Sequence, residues 1–129
     1  MIIQNAVRIL TPDNQEIFLR SVGVHDFRCY NFNDGTFFAV DGGKEYIRRV
    51  GRIPDGYGYE DWSLDDSHPF DIICQRLLWG ARGDDGKPRL VPISTLTVDH
   101  LRNILRDYAD KLSPVQLSVI ERFIKEKAQ

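Results

Sequence analysis

The chain has 129 residues, of which 42% are hydrophobic and 28% are charged, and its formal net charge is −2. This composition predicts a folded protein with a sizeable core and excludes intrinsic disorder, because the apolar and aromatic content is too high. The charge is far from the basicity of a protein that coats nucleic acid, and no apolar run reaches the roughly 20 residues of a membrane span. The first ten residues, MIIQNAVRIL, carry no basic segment and no small-residue cleavage site, so we expect no secretory signal and a cytoplasmic protein.

Residues 1–52 are predicted to be rich in β structure. Apolar-rich runs bounded by turn residues predict four strands, Ile2–Leu10, Glu16–Ser21, Asp26–Phe32 and Thr36–Val40. The Asn-Asp-Gly sequence at 33–35 indicates a hairpin, because glycine tolerates the positive φ that such a turn requires. Lys44–Val50 is predicted to be a short helix, since its apolar residues can share one helical face.

Residues 53–66 are predicted to form an ordered loop, because Tyr57, Tyr59 and Trp62 are too many aromatics for a plain linker. The charges are segregated around it. From Ile53 to Gln75 the sequence contains six acidic residues and no Lys or Arg, whereas arginines stand on either side. Solvated carboxylates would explain this stretch, and so would a surface for a basic partner.

Residues 67–129 are predicted to contain a helix, an edge strand and two further helices. The first helix is expected to run from Pro69 to about Trp79, and Pro92 marks Arg89–Ile93 as an edge strand. Thr97 and Ser113 are predicted to cap the last two helices. We therefore expect a single compact domain over 1–129 in the α+β class, with antiparallel β hairpins in the N-terminal half and helices in the C-terminal half.

Neither a metal site nor a catalytic centre is predicted. The two cysteines, Cys29 and Cys74, are too few for a disulfide framework, and Cys74 stands in an apolar run that predicts burial. The three histidines lack the spacing of zinc ligands, and no Gly-x-Ser-x-Gly sequence is present. We expect no cofactor and no enzymatic activity, although acidic residues that meet in space could still support a hydrolase.

The stretch from Trp79 to Lys87 is the strongest candidate for ligand binding. Its glycines let a backbone approach a ligand, its cations can bind phosphate, and Trp79 offers a stacking face. A β-turn with solvated charges is the alternative interpretation. This stretch, the following Arg89 and residues of the first half of the chain give eight candidate ligand-binding residues: Arg28, Tyr46, Arg48, Arg49, Trp79, Arg82, Lys87 and Arg89.

Two segments resemble small phage and prophage proteins of uncharacterised function. Residues 24–49 contain His-Asp-Phe, Val-Asp-Gly-Gly and Tyr-Ile-Arg-Arg, and the resemblance, which covers roughly residues 4–51, implies a zinc-ribbon-like first half. The metal-binding cysteines of that pattern are missing here, since of its two cysteine pairs only Cys29 is present. The second segment, Phe70–Leu105, resembles phage accessory proteins through Trp79-Gly80…Gly86-Lys87 and Thr97-Val98-Asp99-His100-Leu101.

The expected architecture is also similar to that of phage anti-Thoeris sponges, which sequester cyclic ADP-ribose signals. The resemblance implies a phage-encoded anti-defence protein in the host bacterial cytoplasm. Such a protein would bind a cyclic nucleotide or cyclic ADP-ribose-type immune signal without cleaving it, as a homo-oligomer and away from membranes. Two alternatives stay open. One is an inhibitor that binds a host immune effector or nuclease through the acidic stretch, and the other is a phage nucleic-acid-binding accessory protein that uses the arginines.

Overall fold

A computed structural model describes residues 1–23, 26–43, 46–82, 86 and 88–128, with only the backbone of residues 81, 82 and 88. The chain divides into two compact units, Met1–Asp65 and Asp66–Gln129. Antiparallel sheets lie mostly in the N-terminal half and three helices in the C-terminal half, which confirms the predicted α+β class. The single domain over 1–129 stays a prediction. Within the described ranges, no helix is long and apolar enough to cross a membrane.

The first unit is built from two antiparallel sheets. Its strands are β1 (Ile2–Leu10), β2 (Glu16–Ser21), β3 (Phe27–Asn31), β4 (Phe37–Gly42), β5 (Ile47–Gly51), β6 (Gly58–Asp61) and β7 (Leu64–Asp65). In one sheet β1 lies between β2 and β6 and also pairs with β7, and the other sheet has the order β3-β4-β5. The four strands predicted before residue 42 are confirmed, with shifts of a few residues at some ends.

Alternating apolar side chains from both sheets form the core of the first unit. Val7 and Ile9 of β1 pack in one cluster with Phe38 and Val40 of β4, and three of these four side chains have no exposed surface. Burying each such side chain stabilises the fold by about 1.5–3 kcal/mol. The hairpin between β3 and β4 turns at Gly35, whose φ is 88°, as the sequence predicts.

The predicted helix over Lys44–Val50 is wrong, because Ile47 to Val50 belong to strand β5. Gly42 and Gly43 have φ values of 103° and 138°, and the Gly43 N–H donates to the Tyr46 carbonyl oxygen at 2.9 Å. This tight reversal sends the chain back along β4, where its backbone groups find partners. The apolar spacing of Tyr46, Ile47 and Val50 suits a helix, but ladder pairing prevails over it.

The predicted ordered loop over 53–66 contains two short strands, so the loop assignment is wrong for β6 and β7. Both strands pair antiparallel with β1, with Ile9 opposite Tyr59 and Gln4 opposite Leu64. The Trp62 N–H, between the two strands, donates to the Ala6 carbonyl oxygen at 2.9 Å. The edge of β1 away from β2 offers these hydrogen-bonding groups, and no pattern within 53–66 reveals that.

The second unit contains a two-stranded hairpin and three helices. Its elements are α1 (Phe70–Arg76), β8 (Leu78–Arg82), β9 (Pro88–Pro92), α2 (Val98–Tyr108) and α3 (Pro114–Lys127). The His100 N–H donates to the Thr97 hydroxyl at 3.2 Å at the start of α2. Ser113 and Gln116 form a reciprocal capping box at the start of α3. Both predicted caps are therefore confirmed.

The first helix of this unit ends earlier than the sequence predicts. It stops at Arg76 rather than near Trp79, and Leu77 already has the extended ψ of 118°. The following residues pair with β9, from Leu78 opposite Pro92 to Arg82 opposite Pro88. This pairing satisfies backbone groups that a longer helix would have used, and the apolar side chains Ile73, Cys74, Leu77 and Leu78 are buried.

Candidate ligand-binding site

The β8–β9 hairpin places an aromatic ring and a cation on the same face. Trp79 lies opposite Val91, and Ala81 lies opposite Arg89. Directly paired residues share a face of an antiparallel ladder, and so do residues two positions apart on one strand. The side chains of Trp79 and Arg89 therefore project from one face of the hairpin, and Arg89 is exposed.

The Trp79 ring packs against the last residue of α2. Its centroid lies 5.4 Å from that of Tyr108, and the two ring planes meet at 65°, an edge-to-face arrangement. Tyr108 is 41% exposed, and Lys111 Nζ lies 5.6 Å from the centroid of its ring. We call Trp79, Arg89, Tyr108 and Lys111 the hairpin patch.

Tyr108 and Lys111 were missed by reasoning from the sequence. Tyr108 continues the apolar stripe of α2 and would be assigned to the core on spacing alone. Only the packing of α2 against β8 shows that its ring stands beside Trp79. Directly before Tyr108, Arg106 Nε donates to Asp107 Oδ1 at 2.9 Å, and that hydrogen bond lowers the pKa of Asp107.

The two remaining candidates from the glycine-rich stretch cannot be placed in the patch. Arg82 is the last residue of β8, where its backbone pairs with Pro88, and its side chain is outside the described atoms. Lys87 lies outside the described residues, as do the residues before Gly86 in the predicted turn. The Gly86 backbone has φ of 76°, the left-handed conformation that glycine in a turn allows.

The other predicted site residues lie in the first unit, and Arg49 there is held by internal acceptors. Its Nη1 donates to Asn5 Oδ1 at 2.5 Å, and its Nη2 donates to Ser63 Oγ at 2.8 Å and to Asp61 Oδ1 at 3.1 Å. Arg49 Nε is buried and has no hydrogen-bond acceptor among the described residues. The guanidinium therefore links β5 to β1 and to the segment around β6 and β7.

Arg48 stands next to Arg49 but faces the opposite way. Arg48 lies opposite Asp41 on β4 and Arg49 lies opposite Val40, so their side chains project from opposite faces of the sheet. The Arg48 side chain is 65% exposed and lies 3.9 Å from the Asp41 carboxylate. These two arginines therefore do not converge on one ligand.

Arg28 and Tyr46 each have a carboxylate partner close by. Arg28 Nε donates to Asp26 Oδ1 at 2.8 Å, and 59% of the Arg28 side chain is exposed. The Tyr46 hydroxyl donates to Asp41 Oδ1 at 3.3 Å, and the Tyr46 side chain is half-buried. Arg28 keeps the exposure that phosphate binding requires, whereas the Tyr46 hydroxyl supports the strand end.

Acidic residues of the 53–75 stretch are engaged within the first unit. Glu60 accepts from Arg8 Nη1 at 2.5 Å, and Asp61 is paired with Arg49. Arg8 also donates to Glu16, and this hydrogen bond raises the pKa of Arg8. Burial acts in the opposite direction, and the hydrogen bond with Glu60 adds to the rise. The Glu60 and Asp61 side chains keep 46% and 58% of their surface exposed, and the acidic-inhibitor alternative stays a prediction.

No protein-family model, curated protein or solved structure matches this chain. Among the residues that the structure describes, no group of three or more His, Cys, Asp or Glu could hold a metal ion. The candidate site, the hairpin patch, contains two aromatic rings and two cations.

Proposed function

We propose that this protein binds a small phosphate-bearing nucleotide at the hairpin patch and does not cleave it. The observation that carries the proposal is the pairing of Trp79 with Tyr108 at 5.4 Å, with Lys111 Nζ 5.6 Å from the Tyr108 ring. An edge-to-face pair uses the edge of one ring and one face of the other, and Lys111 Nζ lies over a face of Tyr108, so we assign the base to one of the remaining faces of the pair. Stacking on an aromatic ring suits any base, because every base has a π face.

The cations of the patch suit the phosphate of such a ligand. Arg89 projects from the same hairpin face as Trp79, and its planar guanidinium can donate two parallel hydrogen bonds to phosphate oxygens. Lys111 adds a compact charge beside the second ring. The ligand would thus lie with its base on the rings and its phosphate between the two cations.

Binding without cleavage follows from the side chains of the patch. Hydrolysis of a phosphate ester needs a positioned base or an activated nucleophile. The four residues of the hairpin patch include neither a carboxylate nor an imidazole, which are the groups that most often act as the base, and its two cations suit holding the phosphate. We therefore propose a binding protein rather than an enzyme.

We propose the biological role that the phage resemblance implies, namely sequestration of a bacterial immune signal. A protein that holds a nucleotide unchanged lowers its free concentration, which is sufficient to silence an effector that responds to it. Four side chains do not enclose a nucleotide, so we propose that a second protomer completes the site in a homo-oligomer.

The test is a thermal-shift and calorimetric titration with cyclic ADP-ribose, ADP-ribose and a cyclic dinucleotide. At about 100-fold excess over Kd, a true ligand should raise Tm by roughly 5 °C or more. Arg89→Ala should weaken its binding about tenfold or more, because a charge-assisted hydrogen bond is lost. The matched control is Arg102→Ala, whose side chain is 59% exposed on α2 and 3.9 Å from Asp99, and it should bind normally.

Chromatography of the ligand recovered after heat denaturation tests the absence of cleavage. Unchanged nucleotide supports the proposal, and a cleaved product would show an enzyme instead. If none of the three probes raises Tm, or if Arg89→Ala binds as tightly as Arg102→Ala, the hairpin patch is not the nucleotide site.

A further inference from the structure

The outward face of the β3-β4-β5 sheet is a second surface with its own chemistry. Strand pairing arranges its side chains in rows, with Phe27 beside Asp41 and Arg48, Cys29 beside Ala39 and Val50, and Asn31 beside Phe37. Tyr30, Phe38 and Val40 alternate with these residues and point into the core. We call Phe27, Cys29, Phe37, Ala39, Arg48 and Val50 the outer sheet face.

Two phenylalanine rings are exposed on this face. Phe27 is 50% exposed and Phe37 is 38% exposed. Phe27 lies opposite Asp41, and Phe37 precedes Asp41 by four positions on the neighbouring strand, which separates the two rings by about 14 Å along the strands. This separation is too large for both rings to hold one base, but it suits two bases of one strand.

The row between the rings consists of Cys29, Ala39 and Val50, whose side chains are all smaller than phenylalanine. Cys29 is exposed, Val50 is half-buried and Ala39 has no exposed surface. Phe27 and Phe37 are therefore the largest exposed apolar groups of the face, and they lie toward its two ends. A protein interface usually places its largest apolar anchors at the centre, so this arrangement fits a flexible ligand with repeated planar groups better.

Two charged side chains share the row of Phe27, Asp41 and Arg48, and Arg48 Nη1 lies 3.9 Å from Asp41 Oδ2. The exposed charge of the pair is positive, because the Arg48 side chain is 65% exposed. The neighbouring Asp41 carboxylate is only 11% exposed and already accepts from the Gly42 N–H at 2.9 Å and from the Tyr46 hydroxyl. An exposed guanidinium in the same row as an exposed ring is suited to a phosphate that follows a stacked base.

We propose that the outer sheet face binds single-stranded nucleic acid, with bases stacked on Phe27 and Phe37 and a backbone phosphate on Arg48. Sheet faces that carry exposed aromatics bind unpaired bases in this way, whereas bases within a duplex are stacked on each other and inaccessible. The proposal is independent of the hairpin patch, because it involves no residue of the second unit.

Fluorescence anisotropy with labelled oligothymidine and oligouridine of about 12 nucleotides, and with a duplex of the same length, tests the proposal. The intact chain should bind both single strands, and more weakly at roughly 200 mM than at 50 mM salt. Phe27→Ala and Phe37→Ala should each weaken binding about tenfold, and Phe27→Tyr should restore it because the ring is kept. Arg48→Ala should reduce the salt dependence.

Two controls show whether any loss of binding arises at the outer sheet face. Arg89→Ala changes the hairpin patch and should bind the oligonucleotides normally. Each proposal can therefore fail while the other holds. Both rings are exposed, so the phenylalanine variants should stay folded. A urea unfolding transition with a midpoint close to that of the unchanged protein would show this. No binding of either single strand, equal binding by the Phe27→Ala/Phe37→Ala double variant, or preference for the duplex would overturn the proposal.

Discussion

Arg49 on β5 donates to the buried side chain of Asn5 on β1 at 2.5 Å, and Asn5 Nδ2 donates to the Asp41 carbonyl oxygen at 2.7 Å. Asn5 has no exposed surface, so both hydrogen bonds are made away from water. A buried amide without partners is costly, and this chain of contacts satisfies Asn5 while linking the two sheets of the first unit. The arginine that the sequence offers as a phosphate ligand therefore has a structural role.

Arg49→Ala should lower the free energy of unfolding by about 2–3 kcal/mol, because Asn5 Oδ1 and Ser63 Oγ lose a charged donor. The control is Arg48→Ala on the same strand, whose 65% exposed side chain should contribute within about 0.5 kcal/mol. Urea unfolding at neutral pH compares the two variants. Equal midpoints would contradict the structural role of Arg49.

The stability of the protein should fall as the pH drops through the acid range, in part because of Asp61. Burial raises the pKa of Asp61, but hydrogen bonds from the Ser63 N–H and hydroxyl and the charge of Arg49 together lower it below 3.8. A lowered pKa in the folded state stabilises the protein above the unfolded value, and this contribution is lost as the pH falls through the folded value. Asp61→Asn should therefore flatten the plot of urea midpoint against pH below about 4. An unchanged slope would contradict this.

Gly42→Ala should destabilise the first unit severely. Gly42 has φ of 103°, and an added Cβ would lie 2.0 Å from the Tyr46 carbonyl oxygen, a backbone atom. Both the strain and the clash act in the folded state, so we expect a loss of about 3 kcal/mol or more. Gly23→Ala is the matched control, because its Cβ would meet nothing within 4 Å. Thermal unfolding followed by circular dichroism should show a much lower Tm only for Gly42→Ala.

Ser113→Ala should destabilise the start of α3 by about 1 kcal/mol, because the Gln116 N–H loses its acceptor and the capping box is broken. Ser118→Ala, at an exposed position inside the same helix, should be neutral or slightly stabilising. The measurement is the urea midpoint of both variants. A loss for Ser118→Ala as large as that for Ser113→Ala would show that the cap is not the cause.

The two thiols should differ in reactivity. Burial raises the pKa of the Cys74 thiol to about 11, and its side chain is only 3% exposed, whereas Cys29 is exposed. The thiolate is the reactive form, so a thiol reagent at pH 8 should modify one group in the folded protein and two in urea. The Cys29→Ser variant should show no modified thiol until it unfolds. Rapid modification of folded Cys29→Ser would contradict the burial of Cys74.

Reasoning from the sequence predicted correctly the turns and helix caps that depend on neighbouring residues. The turn at Gly35 and the caps at Thr97 and Ser113 depend on residues within a few positions of each other, and all three are confirmed. Strands β5, β6, β7 and β8 were missed because each is defined by a pairing partner elsewhere in the chain. A short apolar run does not specify which edge will accept its backbone groups.

The candidate site shows the same limit. Trp79 and Arg89 were identified from residue type and are placed on one face by the register of the hairpin. Tyr108 and Lys111 follow only from packing, since 29 positions separate Trp79 from Tyr108. The arginines at 48 and 49 form a single cluster in the sequence, but strand alternation turns one toward solvent and the other toward buried acceptors.

The prolines that begin and end β9 affect how the protein behaves at high concentration. Pro88 and Pro92 are four positions apart and therefore belong to the same edge of the strand, and neither has an N–H to donate. Prolines in sheets occupy positions whose N–H would face away from the neighbouring strand. A strand from another molecule would thus find two donors missing along this edge, so the hairpin can keep aromatic surface exposed without initiating edge-to-edge aggregation.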